Sequence, residues 1–129
     1  MFVNATRRKG RPESYPGKIR NVSFDHIYLK CESCIFVAGE EDSMIENVRL
    51  SDIDITLEKQ GTQPGGLFDE QPSERHIYPH KIPGIYARSV DGLRLRDSHV
   101  TFVGENMPWD GTLTELENCR RARIEWEED

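Results

Sequence analysis

The chain has 129 residues, of which 36% are hydrophobic and 31% charged, and its formal net charge is −6. That length fits one domain with a continuous core, and the supply of Ile, Val, Leu and Phe excludes a disordered chain. An acidic balance argues against a general nucleic-acid binder, which needs an electropositive face, and no apolar stretch reaches the length of a membrane span.

Residues 1–18, "MFVNATRRKGRPESYPGK", are polar and basic and contain Pro12 and Pro16. They read as an N-terminal arm or partial cap, with Phe2 and Val3 as the apolar contribution. The run Arg7, Arg8, Lys9 with Arg11 is a solvated arm on the plain reading and a phosphate or nuclear-import patch on the sharper one. Met1 is not followed by a signal-peptide pattern, so the sequence as it stands is expected in the cytoplasm, with a secreted longer parent left open. The sequons at Asn4 and Asn21 lack a secretory context and are taken as incidental.

From residue 19 the sequence repeats itself. "IRNVSFDHIYL" (19–29) and "IENVRLSDIDI" (45–55) share Ile, Asn, Val, an apolar residue, Ile and a last apolar residue in one register. "VDGLRLRDSHVTF" (90–102) and "LENCRRARIEW" (116–126) repeat the pattern more loosely, with Asp91 and Asn118 set in the Asn place. Positions 21, 47, 91 and 118 are 26, 44 and 27 residues apart, so removing an insertion of about twenty residues leaves a period near 26. Repetition on that scale signals a solenoid, propeller or array.

Inside each repeat the apolar residues alternate with polar ones, which is the two-residue period of half-buried strands. Val22, Phe24, Ile27, Leu29, Val48, Leu50, Ile53, Ile55, Leu93, Leu95 and Ile124 are therefore expected to face inward. Further short strands are expected at 34–39, 84–89 and 111–116, and no amphipathic run reaches three helical turns. Together these features predict an all-β chain forming a right-handed parallel β-helix, a single-stranded solenoid of about three to four coils over residues 19–129. Equivalent residues would lie about 4.8 Å apart, close enough for Asn21 and Asn47 to form a side-chain ladder. An antiparallel β-sandwich is the competing reading; it explains the alternation but not the recurrent Asn.

Cys31 and Cys34 form a C-x-x-C without the second pair a zinc site needs and without a thioredoxin-like context, so they read as structural thiols near a turn. Residues 58–84, "EKQGTQPGGLFDEQPSERHIYPHKIPG", interrupt the period. Four prolines, the Gly65–Gly66 pair and the lack of alternation predict a long irregular loop, and loops of that length are commonly functional. It carries the candidate substrate-binding residues Phe68, Asp69, Glu70, Arg75, His76, Tyr78, His80 and Lys81. Aromatic faces suit a sugar ring, and Arg, His and Lys suit a uronate carboxylate. On the plain reading the same segment is a lid that packs Phe68 and Tyr78 and turns its charges to water.

The stretches "GKIRNVSFDHIYL", "IENVRLSDIDITLE", "KIPGIYARSVDGLRLRDSHVTF" and "LTELENCRRARIEW" resemble the C-terminal coils of polygalacturonase-like glycoside hydrolases, family 28 of the pectin-lyase-like superfamily. The resemblance covers roughly residues 17 to 127. It implies a pectin-related, polysaccharide-degrading ancestry and the hydrolysis of O-glycosyl bonds by an inverting mechanism. The family's Asn-Thr-Asp, Asp-Asp, Gly-His-Gly and Arg-Ile-Lys motifs are absent from this sequence. The chain is thus expected to be the final portion of such an enzyme, with no catalytic residue carried over.

Three functions follow as expectations: a sugar-binding fragment without catalysis of its own, an active glycosidase with its site in the 58–84 loop, or a structural and oligomerisation module. The glycosidase reading requires two carboxyls placed about 6.5–9.5 Å apart. His76 and His80 are four residues apart, but Pro79 between them opposes a shared helical face, so neither metal nor cofactor is expected. The expected partners are an oligo- or polysaccharide and a second copy of the chain, docked through an open N-terminal coil.

Overall fold

The computed structural model describes residues 1–11, 13–105 and 107–128; Pro12, Asn106 and Asp129 lie outside the described residues, so the part Pro12 plays in the arm does too. Ten strands appear in chain order: β1 (Phe2–Asn4), β2 (Arg20–Cys31), β3 (Ile35–Ala38), β4 (Ile45–Leu57), β5 (Leu67–Asp69), β6 (Ile77–Pro79), β7 (Ile85–Arg88), β8 (Val90–Phe102), β9 (Thr114–Glu117) and β10 (Arg120–Trp126). The described residues contain no helix.

The strands form two separate four-stranded parallel sheets and one small antiparallel pair. Sheet one has the order β1-β3-β7-β9, sheet two the order β10-β8-β4-β2, and β5 pairs antiparallel with β6. This corrects the expectation of a single right-handed parallel β-helix built from three short strands per coil. The chain does not break between the two apolar pairs of each repeat. Instead β2, β4 and β8 run through that point as single strands of 12, 13 and 13 residues. The chain therefore divides its strands between two hydrogen-bonded sheets that share no ladder.

A left-handed residue absorbs the bend inside each long strand: His26 (φ 58°), Asp52 (φ 55°) and Asp97 (φ 52°). Asp is one of the few L residues that enter this region readily, because its short polar side chain can bond locally. The bend changes the phase of alternation, so Val48 and Leu50 before it and Ile53 and Ile55 after it all point into the core. Val22 pairs with Val48, Phe24 with Leu50, Ile27 with Ile53 and Leu29 with Ile55. Leu93 and Leu95 continue the same rows on β8. The β2 members are only half-buried, because β2 is an edge strand, whereas their β4 and β8 partners are buried.

Both sheets supply one contiguous core, including Ile35, Val37, Ile85 and Ala87 from sheet one and Leu50, Ile53, Leu93 and Leu95 from sheet two. Each fully buried aliphatic side chain contributes about 1.5–3 kcal/mol relative to an exposed one. The sheets owe their exact register to this: a slip of one residue would turn a whole apolar row outward.

The Asn row is real but its members differ from those the sequence pattern assigned. The Asn47 amide donates to Asn21 Oδ1 at 2.8 Å. Pairing of Glu46 with Asp91 and of Val48 with Leu93 puts Gly92, not Asp91, beside Asn47. Pairing of Arg120 with Asp91 and Ala122 with Leu93 then puts Arg121 next in the row. All four, Asn21, Asn47, Gly92 and Arg121, have positive φ, which is the property the position selects. Asn118 sits elsewhere; its amide donates to Ser89 Oγ at 3.1 Å.

Candidate functional site

The outer face of sheet one carries an aromatic row. Phe2, Phe36 and Tyr86 are register partners on β1, β3 and β7, and their rings stack at centroid distances of 5.1 and 5.3 Å. The 58–84 insertion closes over this row. It is not the irregular loop expected from its prolines, since β5 and β6 make a hairpin within it in which Phe68 pairs with Tyr78. Phe68, 2% exposed, packs edge-on against Phe36 at 5.2 Å and lies 5.0 Å from Tyr86. His80 stacks on Phe68 at 4.2 Å, and its Nε2 lies 2.8 Å from Glu115 Oε2.

Beneath the hairpin is a buried polar network. Glu70 is fully buried and accepts two bonds from the Arg88 guanidinium, at 2.5 Å and 3.0 Å. The Tyr78 hydroxyl donates to the same carboxylate. Arg88 also donates to Tyr86 Oη at 3.3 Å, and that hydroxyl donates to Glu117 at 2.9 Å. Burial, with the acceptor Glu117 adding to it, pushes the Tyr86 phenol up to about 12.

The eight candidate residues thus separate into two groups. Phe68, Glu70, Tyr78 and His80 come together as the underside of a lid, and their faces are spent on the protein itself. Asp69 is exposed and accepts the Gln71 N–H at 3.0 Å, a local turn contact. Arg75 lies 3.5 Å from Glu40, Lys81 is exposed, and His76 faces a groove beside Arg8, Lys9 and Arg11. Among the described residues no group of three or more His, Cys, Asp or Glu side chains could hold a metal ion. The thiols are all free, and Cys34, 2% exposed, is pushed up to about 12 by burial.

The open face of sheet two offers different chemistry. Residues there alternate with the core rows, so Arg49, Arg94 and Arg123 stand side by side on β4, β8 and β10, with Ser23 at the β2 end of the row. Parallel strands put neighbours about 4.8 Å apart. Arg96, two residues beyond Arg94, stands beside Ser51. Two adjoining clefts run along the row, one floored by Gly92 and one reaching Ser23 and Ser51. Gly92 leaves a gap between Asn47 and Arg121 in the neighbouring row, and a Cβ there would lie 3.3 Å from the Asn47 nitrogen.

Part of this positive charge is already neutralised. Arg121 pairs with Asp91 at 2.8 Å, Arg123 lies 3.6 Å from Glu125, and Arg96 lies 3.9 Å from Asp97. Arg49 and Arg94 have no ion pair among the described residues, and both are exposed. The sequence carries this face as a pattern: V-R-L at 48–50, L-R-L at 93–95 and A-R-I at 122–124 repeat one arginine between two apolar residues. Compared with known proteins, the chain matches no family model, no curated protein and no solved structure.

Proposed function

We propose that this domain binds an acidic polysaccharide of the polyuronate kind along the arginine face of sheet two and does not cleave it. One observation carries the reading: Arg49 and Arg94 are adjacent, exposed and without ion pairs on a chain whose net charge is −6. Arginine presents a planar fork that matches a carboxylate with two parallel bonds. A row of such forks, with Ser23, Ser51 and Asn47 beside it to bond hydroxyls, suits a chain that repeats both carboxylate and hydroxyl groups. The resemblance to polygalacturonase-like hydrolases supplies the same ligand class from a separate direction.

The chemistry of the insertion supports binding over catalysis. Glu70, the acid best placed by burial to act as a general acid, is neutralised by Arg88 and sealed from solvent. A general acid or base must reach the reacting oxygen, directly or through one water.

Calorimetric titration with oligogalacturonate and with a neutral glucan tests the proposal. Binding of the first only, weakened about tenfold or more in Arg49→Gln/Arg94→Gln, is the expected result. Equal binding of the neutral glucan, or unchanged affinity in the double variant, overturns it. Release of reducing ends during the titration would favour the glycosidase reading instead.

A further inference from the structure

We propose a second anion site, independent of the arginine face, where the N-terminal arm crosses the insertion: a groove that takes a phosphomonoester. The arm is fixed there by three contacts. Arg8 bridges to Ser73 in antiparallel fashion, the Lys9 N–H donates to Pro72 O at 2.6 Å, and the Gly10 N–H donates to Glu74 Oε1 at 2.5 Å. The groove this creates is lined by Arg8, Lys9, Arg11, Gln71, Pro72 and His76.

The basic run does not act as one unit. Arg7 is turned the other way and spent: it makes two bonds to Asp42, at 2.7 and 2.8 Å, and its N–H donates to Glu40. Arg8, Lys9 and Arg11 have no ion pair among the described residues. Glu74, the acid fixed beside them, already accepts the Gly10 N–H. Three cations without ion pairs therefore line one concavity, which Gln71 and His76 line with them; a neutral imidazole still donates from one ring nitrogen. Two guanidinium forks and an ammonium fit the three terminal oxygens and the near-dianionic charge of a phosphomonoester. A uronate carboxylate has fewer oxygens and half the charge, which separates this site from the row on sheet two.

The site is read by titrating the full chain with inorganic phosphate, at constant ionic strength, while following the His76 ring resonances. Saturable shifts with phosphate, several-fold weaker binding of sulfate, and no saturable shift with chloride are expected. Arg8→Gln/Arg11→Gln should lose the phosphate response while melting at the wild-type temperature, and Arg49→Gln/Arg94→Gln should keep it. Sulfate binding as tightly as phosphate, a matching chloride response, or an unchanged response in a folded Arg8→Gln/Arg11→Gln protein overturns the proposal.

Discussion

Arg88 meets Glu70 across the join between sheet one and the insertion hairpin, with Glu70 fully buried and Arg88 5% exposed. This pair sits on the sheet side of a lid whose other contacts are aromatic, so it sets where the lid docks. The cost of removing two charges from water is recovered only because both are bonded to each other and to tyrosine hydroxyls.

Breaking one side of that pair should be expensive. Glu70→Gln or Arg88→Met is expected to lower unfolding stability by about 3 to 5 kcal/mol, because either leaves a buried charge or fork unmatched. Replacing both by apolar residues, Glu70→Leu with Arg88→Met, should recover most of the loss. Chemical denaturation of the three variants checks this, and a double variant no better than the worse single one would show that the pair is not energetically coupled.

The Asn row offers a test of conformation against hydrogen bonding. Asn47 has φ 55° and donates to Asn21, so Asn47→Gly removes only the bond, at about 0.5–1.5 kcal/mol. Asn47→Ala also forces an ordinary L residue into the left-handed region, adding about 1 kcal/mol. The expected order of stability is Asn, then Gly, then Ala. Equal losses for Gly and Ala would mean that the left-handed backbone carries no cost here.

The repeat made the parallel pairing legible, because Val22, Phe24, Ile27 and Leu29 face Val48, Leu50, Ile53 and Ile55 in the order the alignment gives. The number of strands per repeat was not legible. A phase shift between two apolar pairs looks the same whether the strand ends or bends, and a single left-handed residue such as Asp52 decides which. The later repeats misled for a related reason: the position selects positive φ rather than an amide, so Gly92 and Arg121 fill it while Asp91 and Asn118 imitate it in sequence. In the insertion, residue types that suit a sugar suit a buried lid equally well. Glu70 and Asp69 are neighbours in the chain, yet Asp69 ends β5 exposed while Glu70, just past the strand, is fully buried.

The bend residue of β2, His26, lies between two acids: its Nδ1 is 2.5 Å from Asp52 and its Nε2 is 3.3 Å from Asp25. The hydrogen bond with Asp52, with the Asp25 charge adding to it, raises the imidazole above its ordinary 6.5. A group whose folded value is raised contributes stability that is fully present below about 6.5 and is lost as pH rises through the folded value. Asp52 also accepts the Tyr28 hydroxyl, and Asp54 lies near enough to act on the same phenol. The cluster is exposed, so the effect on stability is small and the titration itself is the better readout. A proton NMR titration should place the His26 midpoint above 6.5, with Asp52→Asn moving it back down; a midpoint at or below 6.5 would refute the charged pair.

The edge of sheet two at β2 is the surface most suited to a second copy of this chain. Its backbone has a partner on one side only, in β4, and its inward residues Val22, Phe24, Ile27 and Leu29 are half-buried where their β4 partners are buried. Beside it, Phe2 on the β1 edge of sheet one is 54% exposed, and Tyr28 on the outer side of β2 is 67% exposed. Unpaired parallel edges with apolar neighbours add strands from other chains unless something covers them. A closed two-fold pairing would bury this edge on both copies without leading to fibres. The isolated chain at micromolar concentration is therefore expected to scatter light as more than one chain per particle. Phe24→Lys, which puts a charge at the half-buried end of the row, should shift it to the monomer with its strand content kept. A wild-type monomer at those concentrations would sink this expectation. Dimers unaffected by Phe24→Lys would place the interface on another surface.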